Sequence, residues 1–303
     1  MSRSVEVLAP AKVNLTLEVL GRRPDRYHEL CGLFATIGLT DRIRVAPSSR
    51  MDVRIVPPLP EAEGDDLAVR ALRVLAEATG REPRAAVRVR KRIPLAAGLG
   101  GGSSDAASVL HALAALWRVP AVDLVALAAR IGSDVPFFAA RVPFAVVSGR
   151  GELVRPLTAP PASLWLTLVA LRRRLSTAAV FGSLGPGECG DGQATQELAN
   201  AFDRGAADAA AIRRCARNDL LAAAERCAPE IADVRALAAA RGIDLQLSGS
   251  GPSLFAVADD RADALRIARA LRRLGLRARP LALGFAAGPT SVLLPAADRA
   301  LSP

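Results

Sequence analysis

The chain has 303 residues, 51% of them hydrophobic and 23% charged, with a formal charge of +10. That apolar content suffices for one or two packed cores and excludes a disordered tail. The positive balance favours anionic partners without choosing between nucleic acid, a lipid surface and phosphorylated metabolites.

Val5 and Val7, then Val13, Leu15, Leu17 and Val19, recur at period 2 and predict a strand broken at Pro10, with a hairpin loop over Gly21 to Arg26. Strands are also predicted at Ile43 to Val45, Val53 to Val56 and Ala85 to Ile93. The last puts Arg88, Arg90 and Arg92 on a solvated face and Val87, Val89 and Lys91 on the other. Asp66 is placed to cap a helix whose stripe is Leu67, Ala71, Val74, Leu75 and Ala78 and which Gly80 closes. Helices follow from Ser103 to Trp117 and from Val122 to Ile131.

A Pro-rich connector, Pro156 to Ala162, marks a boundary between domains 1–158 and 159–303. Beyond it come a strand, Leu164 to Leu171, a Gly-rich surface loop, Gly182 to Gln196, and helices near Glu197 to Arg204, Ala207 to Arg214, Asp219 to Cys227 and Ile231 to Ala240. Two strands joined by a glycine turn, Asp244 to Leu247 and Leu254 to Val257, a helix from Ala262 to Leu274 and a closing strand complete a mixed α+β pattern.

Cys31, Cys189, Cys215 and Cys227 form no C-x-x-C pair, so a reducing, cytoplasmic setting is expected. Ser2, Arg3 and Glu6 interrupt any apolar leader, and runs such as Leu164 to Leu171 are too short to span a bilayer. Only two of the 40 basic residues, Lys12 and Lys91, are lysines. Where arginine is the default cation, a retained lysine is a candidate for a site that needs a compact ammonium.

The densest signal is Pro94-Leu95-Ala96-Ala97-Gly98-Leu99-Gly100-Gly101-Gly102-Ser103-Ser104-Asp105, a glycine-rich loop leading from a strand into a helix. Glycines admit close backbone approach, and a helix start offers free N–H groups and the positive end of its dipole, so the loop suits a phosphate chain. It fits neither G-x-x-x-x-G-K-[ST] nor G-x-G-x-x-G, because the lysine is missing and Ser103 stands where the last glycine belongs. A plain Gly/Ser loop whose Ser103 or Ser104 caps the helix is the structural alternative.

The word P-x-x-x-G-L-G-G-G-S-S-D-A-A, from Pro94 to Ala107, resembles the ATP loop of the GHMP kinase superfamily. Three further segments resemble one family within it, the 4-diphosphocytidyl-2-C-methyl-D-erythritol kinases: Pro10-Ala11-Lys12-Val13-Asn14-Leu15, Asp25-Arg26-Tyr27-His28-Glu29-Leu30 and Gly132-Ser133-Asp134-Val135-Pro136-Phe137-Phe138. A fourth, Leu247-Ser248-Gly249-Ser250-Gly251-Pro252, resembles the third motif of the superfamily, a glycine turn near the substrate and phosphates. Arg26 stands where that family usually has glycine, and Ala178 replaces a proline in Ser176-Thr177-Ala178-Ala179-Val180-Phe181.

The resemblance implies a two-domain α+β GHMP kinase fold, with a ribosomal-protein-like N-terminal domain and an α/β C-terminal domain. It also implies phosphorylation by ATP and Mg²⁺ of the 2-hydroxyl of a CDP-linked methylerythritol, in the non-mevalonate route to isoprenoid precursors. By resemblance Asp134 is the catalytic base and Lys12 polarises the hydroxyl; Pro94 to Ser104 bind ATP, Ser103 and Ser104 near the phosphates or the metal. Tyr27 and His28 hold cytosine, and Asn14, Thr177, Gly249, Ser250 and Gly251 meet the substrate. No metal ligands are identified.

From the residues alone, Asp134 is equally suited to start a turn or helix, Lys12 to face solvent, and Lys91 to face either the nucleotide or solvent. His111 is expected to be structural, and Asn218 and Asp219 to cap a helix. The expected partner is a small molecule, without nucleic acid or membrane, and the chain is expected to be a monomer or weak homodimer. Homoserine or mevalonate kinase is the alternative within the superfamily, and an ATP-binding protein without catalysis a further one. A basic RNA-binding protein is disfavoured by an aromatic content of 4% and by scattered arginines.

Overall fold

A computed structural model describes residues 3–25, 27–58, 66–119, 122–160, 162–185, 187–286 and 294–295. Ser2 and Arg26, and with Arg26 the question of its replaced glycine, lie outside the described residues, as does most of the chain beyond residue 286. β1 (Arg3–Arg22) and β2 (His28–Ala46) form a long antiparallel hairpin, followed by β3 (Asp52–Val56), α1 (Leu67–Thr79) and β4 (Ala86–Arg90). Next come α2 (Gly101–Trp117), α3 (Leu124–Ala129), α4 (Val135–Ala139), β5 (Phe144–Gly149) and β6 (Leu153–Pro156).

The second half holds β7 (Trp165–Val169), α5 (Thr177–Gly182), α6 (Gln193–Asp203), α7 (Ala209–Cys215), β8 (Arg217–Asn218), α8 (Leu221–Cys227) and α9 (Glu230–Ala239). It ends with β9 (Gln246–Leu247), β10 (Leu254–Ala258), α10 (Arg261–Arg273), β11 (Ala278–Ala282) and β12 (Leu294–Pro295). One sheet runs β12-β1-β2-β4-β3, with β5 pairing β2 and β6, and β8 lying parallel to β1; the other is β11-β7-β10-β9. Strands β8 and β12 of the second half thus complete the sheet of the first.

The expected break at Pro10 is a register shift inside one continuous strand, and a second shift falls between Asn14 and Thr16. A one-residue slip turns every following side chain to the opposite face. The cores record this: Val5 and Ala9 belong to one apolar cluster, Ala11, Val13 and Leu15 to the other, and Leu17 and Val19 to the first again. Between the shifts Lys12 and Asn14 therefore point into the side where Leu17 and Phe34 lie. Proline, which has no N–H for the ladder, suits such an irregularity.

α1 forms as its local signals dictate: the Asp66 side chain accepts from the Ala68 N–H, Ala71, Leu72 and Leu75 are buried, and Gly80 takes the left-handed conformation at φ +62. β2 is far longer than Ile43 to Val45, because residues 32 to 37 are buried on both faces and show no alternation. α4, β5 and β6 were not expected. The loop expected over Gly182 to Gln196 is shorter, since α6 begins at Gln193 and Thr195 is buried, its N–H and hydroxyl donating to Glu18.

Candidate active site

The glycine loop joins β4 to α2 and lines an open cleft of about 470 Å³ together with Lys12, Asn14, Phe34, Asp134, Thr177 and Phe181. Gly100, at φ +68, is the N-cap of α2, and no acidic residue occupies the first turn. The Ser104 N–H is already bonded to the Gly100 carbonyl, so the amides of Gly101, Gly102 and Ser103 are the α2 donors left for an anion. Ser103 lines the cleft. The Ser104 hydroxyl is fully buried without a partner and borders a small separate cavity with Thr36, Ser108 and His111.

The turn between β9 and β10 clamps the loop. Ser248 Oγ donates to the Gly98 carbonyl at 3.0 Å and the Ser253 N–H to that of Ala97 at 3.3 Å. Gly98 sits at φ +72, and a Cβ there would stand 2.1 Å from the Ser248 carbonyl oxygen. Main chain meets main chain, so neither can yield without moving the loop. Gly98→Ala is expected to lower stability by about 2 kcal/mol or more and to abolish measurable binding of an ATP analogue, read by thermal unfolding and calorimetry.

At the cleft's inner end the Lys12 ammonium donates to Asn14 Oδ1 at 2.7 Å, lies 3.4 Å from Asp134 Oδ2, and is 4.8 Å from the centre of the Phe34 ring. Lys12 is buried, whereas the Asp134 side chain keeps 32% of its surface open to the cleft. Close packing over the lysine needs glycine at Gly100, where a Cβ would meet Lys12 Cγ at 3.1 Å, while a Cβ on Gly249 would touch Nζ at 3.4 Å and stand 2.9 Å from the Gly98 carbonyl oxygen. Asp134 starts α4, but its side chain makes no capping bond, which leaves the carboxylate free for the lysine and the cleft. Asn14 Nδ2 is buried and unpartnered.

The family model for the N-terminal domain of GHMP kinases matches residues 66–141 and that for the C-terminal domain residues 198–276. A 4-diphosphocytidyl-2-C-methyl-D-erythritol kinase from Paramagnetospirillum magneticum is 40% identical over 269 residues, covering 86% of this chain and 91% of its own. One from Thermus thermophilus is 40% identical over 272 residues, 89% of this chain and 94% of its own. The chain belongs to this kinase family. A crystal structure of 4-(cytidine 5'-diphospho)-2C-methyl-D-erythritol kinase superposes with a TM-score of 0.75 at 38% identity, over 92% of this chain and 99% of its own. A homoserine kinase from Cytophaga hutchinsonii, at 20% identity and TM-score 0.69, shares the fold.

On the opposite wall of this family member's cleft, Thr177 Oγ1 and Ser250 Oγ lie 2.9 Å apart, and Gly249 borders the same space. Gly251 does not line the cleft; its N–H bonds the Ser248 carbonyl and shapes the turn. His28 stacks on Phe181 with ring centres 5.0 Å apart, and Phe181 lines the cleft. Burial and then Arg22 hold the imidazole below its ordinary pKa, so it is neutral at neutral pH. Tyr27 is 54% exposed and sits apart, under the Arg150 guanidinium and beside a second cavity of about 260 Å³.

Phe181 and Phe34 were not singled out from sequence, although Phe181 closes the Ser176 to Phe181 segment. The expectation that Asn218 and Asp219 cap a helix holds for one of the two: Asn218 Oδ1 accepts from the Leu220 N–H at 3.0 Å where α8 starts, whereas Asp219 bonds elsewhere. Asn218 Nδ2 donates to the carbonyls of Leu247 and Gly249, holding the turn against the cleft, and Asp219 accepts from the Val19 N–H and from Arg217. His111 is structural as expected, its Nε2 2.9 Å from the Ala139 carbonyl.

Lys91 borders the cleft rather than open solvent, and it is not alone. Its ammonium lies 2.6 Å from Asp41 Oδ2 and 2.6 Å from Asp105 Oδ2, with all three side chains at most 7% exposed. Burial, together with Asp41 and against the pull of Lys91, pushes the Asp105 carboxyl up to about 8. Folding therefore strengthens proton binding at Asp105. That contribution to stability is full below the unfolded value of 3.8 and is lost as pH rises towards about 8. Asp105→Asn, which carries no charge to desolvate, is expected to become more stable relative to the parent as pH rises from about 5 to about 8.5, read by thermal unfolding across pH.

Proposed function

We propose that the chain transfers the γ-phosphoryl group of ATP to the 2-hydroxyl of 4-diphosphocytidyl-2-C-methyl-D-erythritol, giving the 2-phosphate and ADP. The observation that carries this reading is the Lys12–Asp134 pair, 3.4 Å apart at the end of a cleft walled by the glycine loop. The hydroxyl oxygen forms the new P–O bond while the bond to the β-phosphate oxygen breaks. The hydroxyl proton passes to Asp134, and the Lys12 ammonium stabilises the charge that develops on the attacking oxygen and the transferring group. A hydroxyl on a carbon that also bears a methyl is crowded and weakly acidic, so a positioned base and cation matter more than for a primary alcohol.

The amides of Gly101, Gly102 and Ser103 receive the phosphates, and Leu67, Pro94 and Leu95 form an apolar wall for the base. Asn14 Nδ2 donates to the acceptor, and the His28–Phe181 stack holds the cytosine. Among the described residues no three acidic, His or Cys side chains gather into a metal cage. Mg²⁺ brought with ATP would be held by the Ser103 hydroxyl together with oxygens of the phosphates and water, and would supply neutralisation of phosphate charge. We place the division between the nucleotide and substrate halves at 158/159, between β6 and β7.

The test is mass spectrometry of the purified chain incubated with ATP, Mg²⁺ and, in separate tubes, the CDP-linked alcohol, homoserine and mevalonate. Gain of one phosphoryl group by the CDP-linked alcohol alone is expected. Gain by another alcohol would keep the kinase and overturn its acceptor.

A further inference from the structure

We propose that the buried Asp41–Lys91–Asp105 cluster is a positioning device for the phosphate loop, tying the strand that enters the loop to the helix that leaves it; this rests on the assignment of the loop to ATP. Asp41 lies in β2, Lys91 directly follows β4, and Asp105 is in the second turn of α2, so the cluster brackets residues 94–100. Asp41 Oδ1 accepts from the N–H groups of Arg92 and Ile93, the latter at 2.9 Å, which fixes the backbone just before Pro94. Lys91 in turn crosses to both carboxylates.

Three features separate this cluster from an ordinary core ion pair. A Cβ on Gly101 would stand 3.3 Å from Lys91 Nζ, so the ammonium packs against the first residue of α2. Lys91 is also one of two lysines in a chain whose other basic residues are arginine. A guanidinium is planar and larger, and cannot take the place of a point charge held 2.6 Å from two carboxylates under a glycine. Finally, Asp41 is fully buried, so whatever it does for the nucleotide it does through Lys91 and the backbone of Arg92 and Ile93. A displacement of catalytic or binding groups by about 1 Å is enough to cost on the order of a hundredfold.

The test uses the full chain with Asp41→Asn. Calorimetry with the non-hydrolysable analogue adenylyl imidodiphosphate is expected to show affinity reduced by about tenfold or more, with KM for ATP raised in parallel. At saturating ATP, kcat and the KM of the acceptor alcohol are expected to stay within about twofold, because neither Lys12 nor Asp134 touches the cluster. Analogue binding is read without any acceptor, so an error in the acceptor leaves this result standing. Should Asp41→Asn not fold, the uncharged combination D41N/K91M/D105N, which leaves no buried charge unpaired, is measured against the same expectations. Analogue affinity equal to the parent's overturns the proposal. So does a common fall in kcat and both KM effects, or failure of both variants to fold, since either marks a cluster that serves the core alone.

Discussion

Asp134→Asn is expected to lower kcat by about 10²–10⁴ while leaving the affinity for an ATP analogue and the thermal unfolding midpoint close to those of the parent. The magnitude is that of removing a positioned proton acceptor from a transfer whose remaining electrostatics are intact. The sparing of the fold follows from geometry. Asp134 starts α4 without a capping bond, its one ion pair is with Lys12, and a third of its side chain is open to the cleft. Exposed positions of this kind tolerate an isosteric change within about 0.5 kcal/mol. Steady-state kinetics alongside calorimetry checks both halves of the expectation. Activity within about twofold of the parent would remove Asp134 from the reaction.

Lys12→Met is expected to lower kcat by about 10²–10³ and to raise the KM for ATP as well, because the ammonium serves both the acceptor oxygen and the transferring phosphoryl group. Methionine keeps the stem that packs beneath Gly100 and over Phe34 and removes only the charge and its bond to Asn14. Combining it with Asp134→Asn is expected to cost little more than the worse single change, since the two groups act as a unit. Lys12→Arg is not expected to restore activity. The lysine stem is packed so closely under Gly100 that a Cβ there would come within 3.1 Å of its Cγ, and a guanidinium is larger and planar where a compact ammonium sits between Asn14 and Asp134.

How far the sequence carried depended on how local the cause was. The helix from Leu67 to Thr79 was legible because Asp66, the apolar stripe and Gly80 all act within it. The β1 strand was legible as a strand, but not the two register shifts that turn Lys12 and Asn14 into the cleft; those depend on what β2 sets opposite. α4 has five residues, too few for a periodic signal, yet it presents Asp134. The proposed catalytic pair was reached through motif resemblance, because nothing near Asp134 distinguishes a base from a cap. Asn218 was legible as a cap, and its Oδ1 takes the Leu220 N–H, but its amide's partners, the carbonyls of Leu247 and Gly249, come from a distant turn.

Lys91 stands out in the sequence by its rarity, whereas its pairing with Asp41 and Asp105 is not legible there because those residues come from other elements. In Ser103 and Ser104 the sequence shows two equivalent hydroxyls. The helical turn separates them: Ser103 lines the cleft, and Ser104 is buried beside a separate small cavity.

Proton-coupled ³¹P NMR of the product made from ATP and the CDP-linked alcohol tests the central claim most directly. The 2-carbon bears a methyl group and no hydrogen, so a phosphoryl group on its hydroxyl has no proton three bonds away. A new phosphomonoester signal without that coupling is the result the Lys12–Asp134 cleft predicts. A signal split by neighbouring C–H protons would place the phosphoryl group on another hydroxyl, and would contradict the account of how the cleft presents its acceptor.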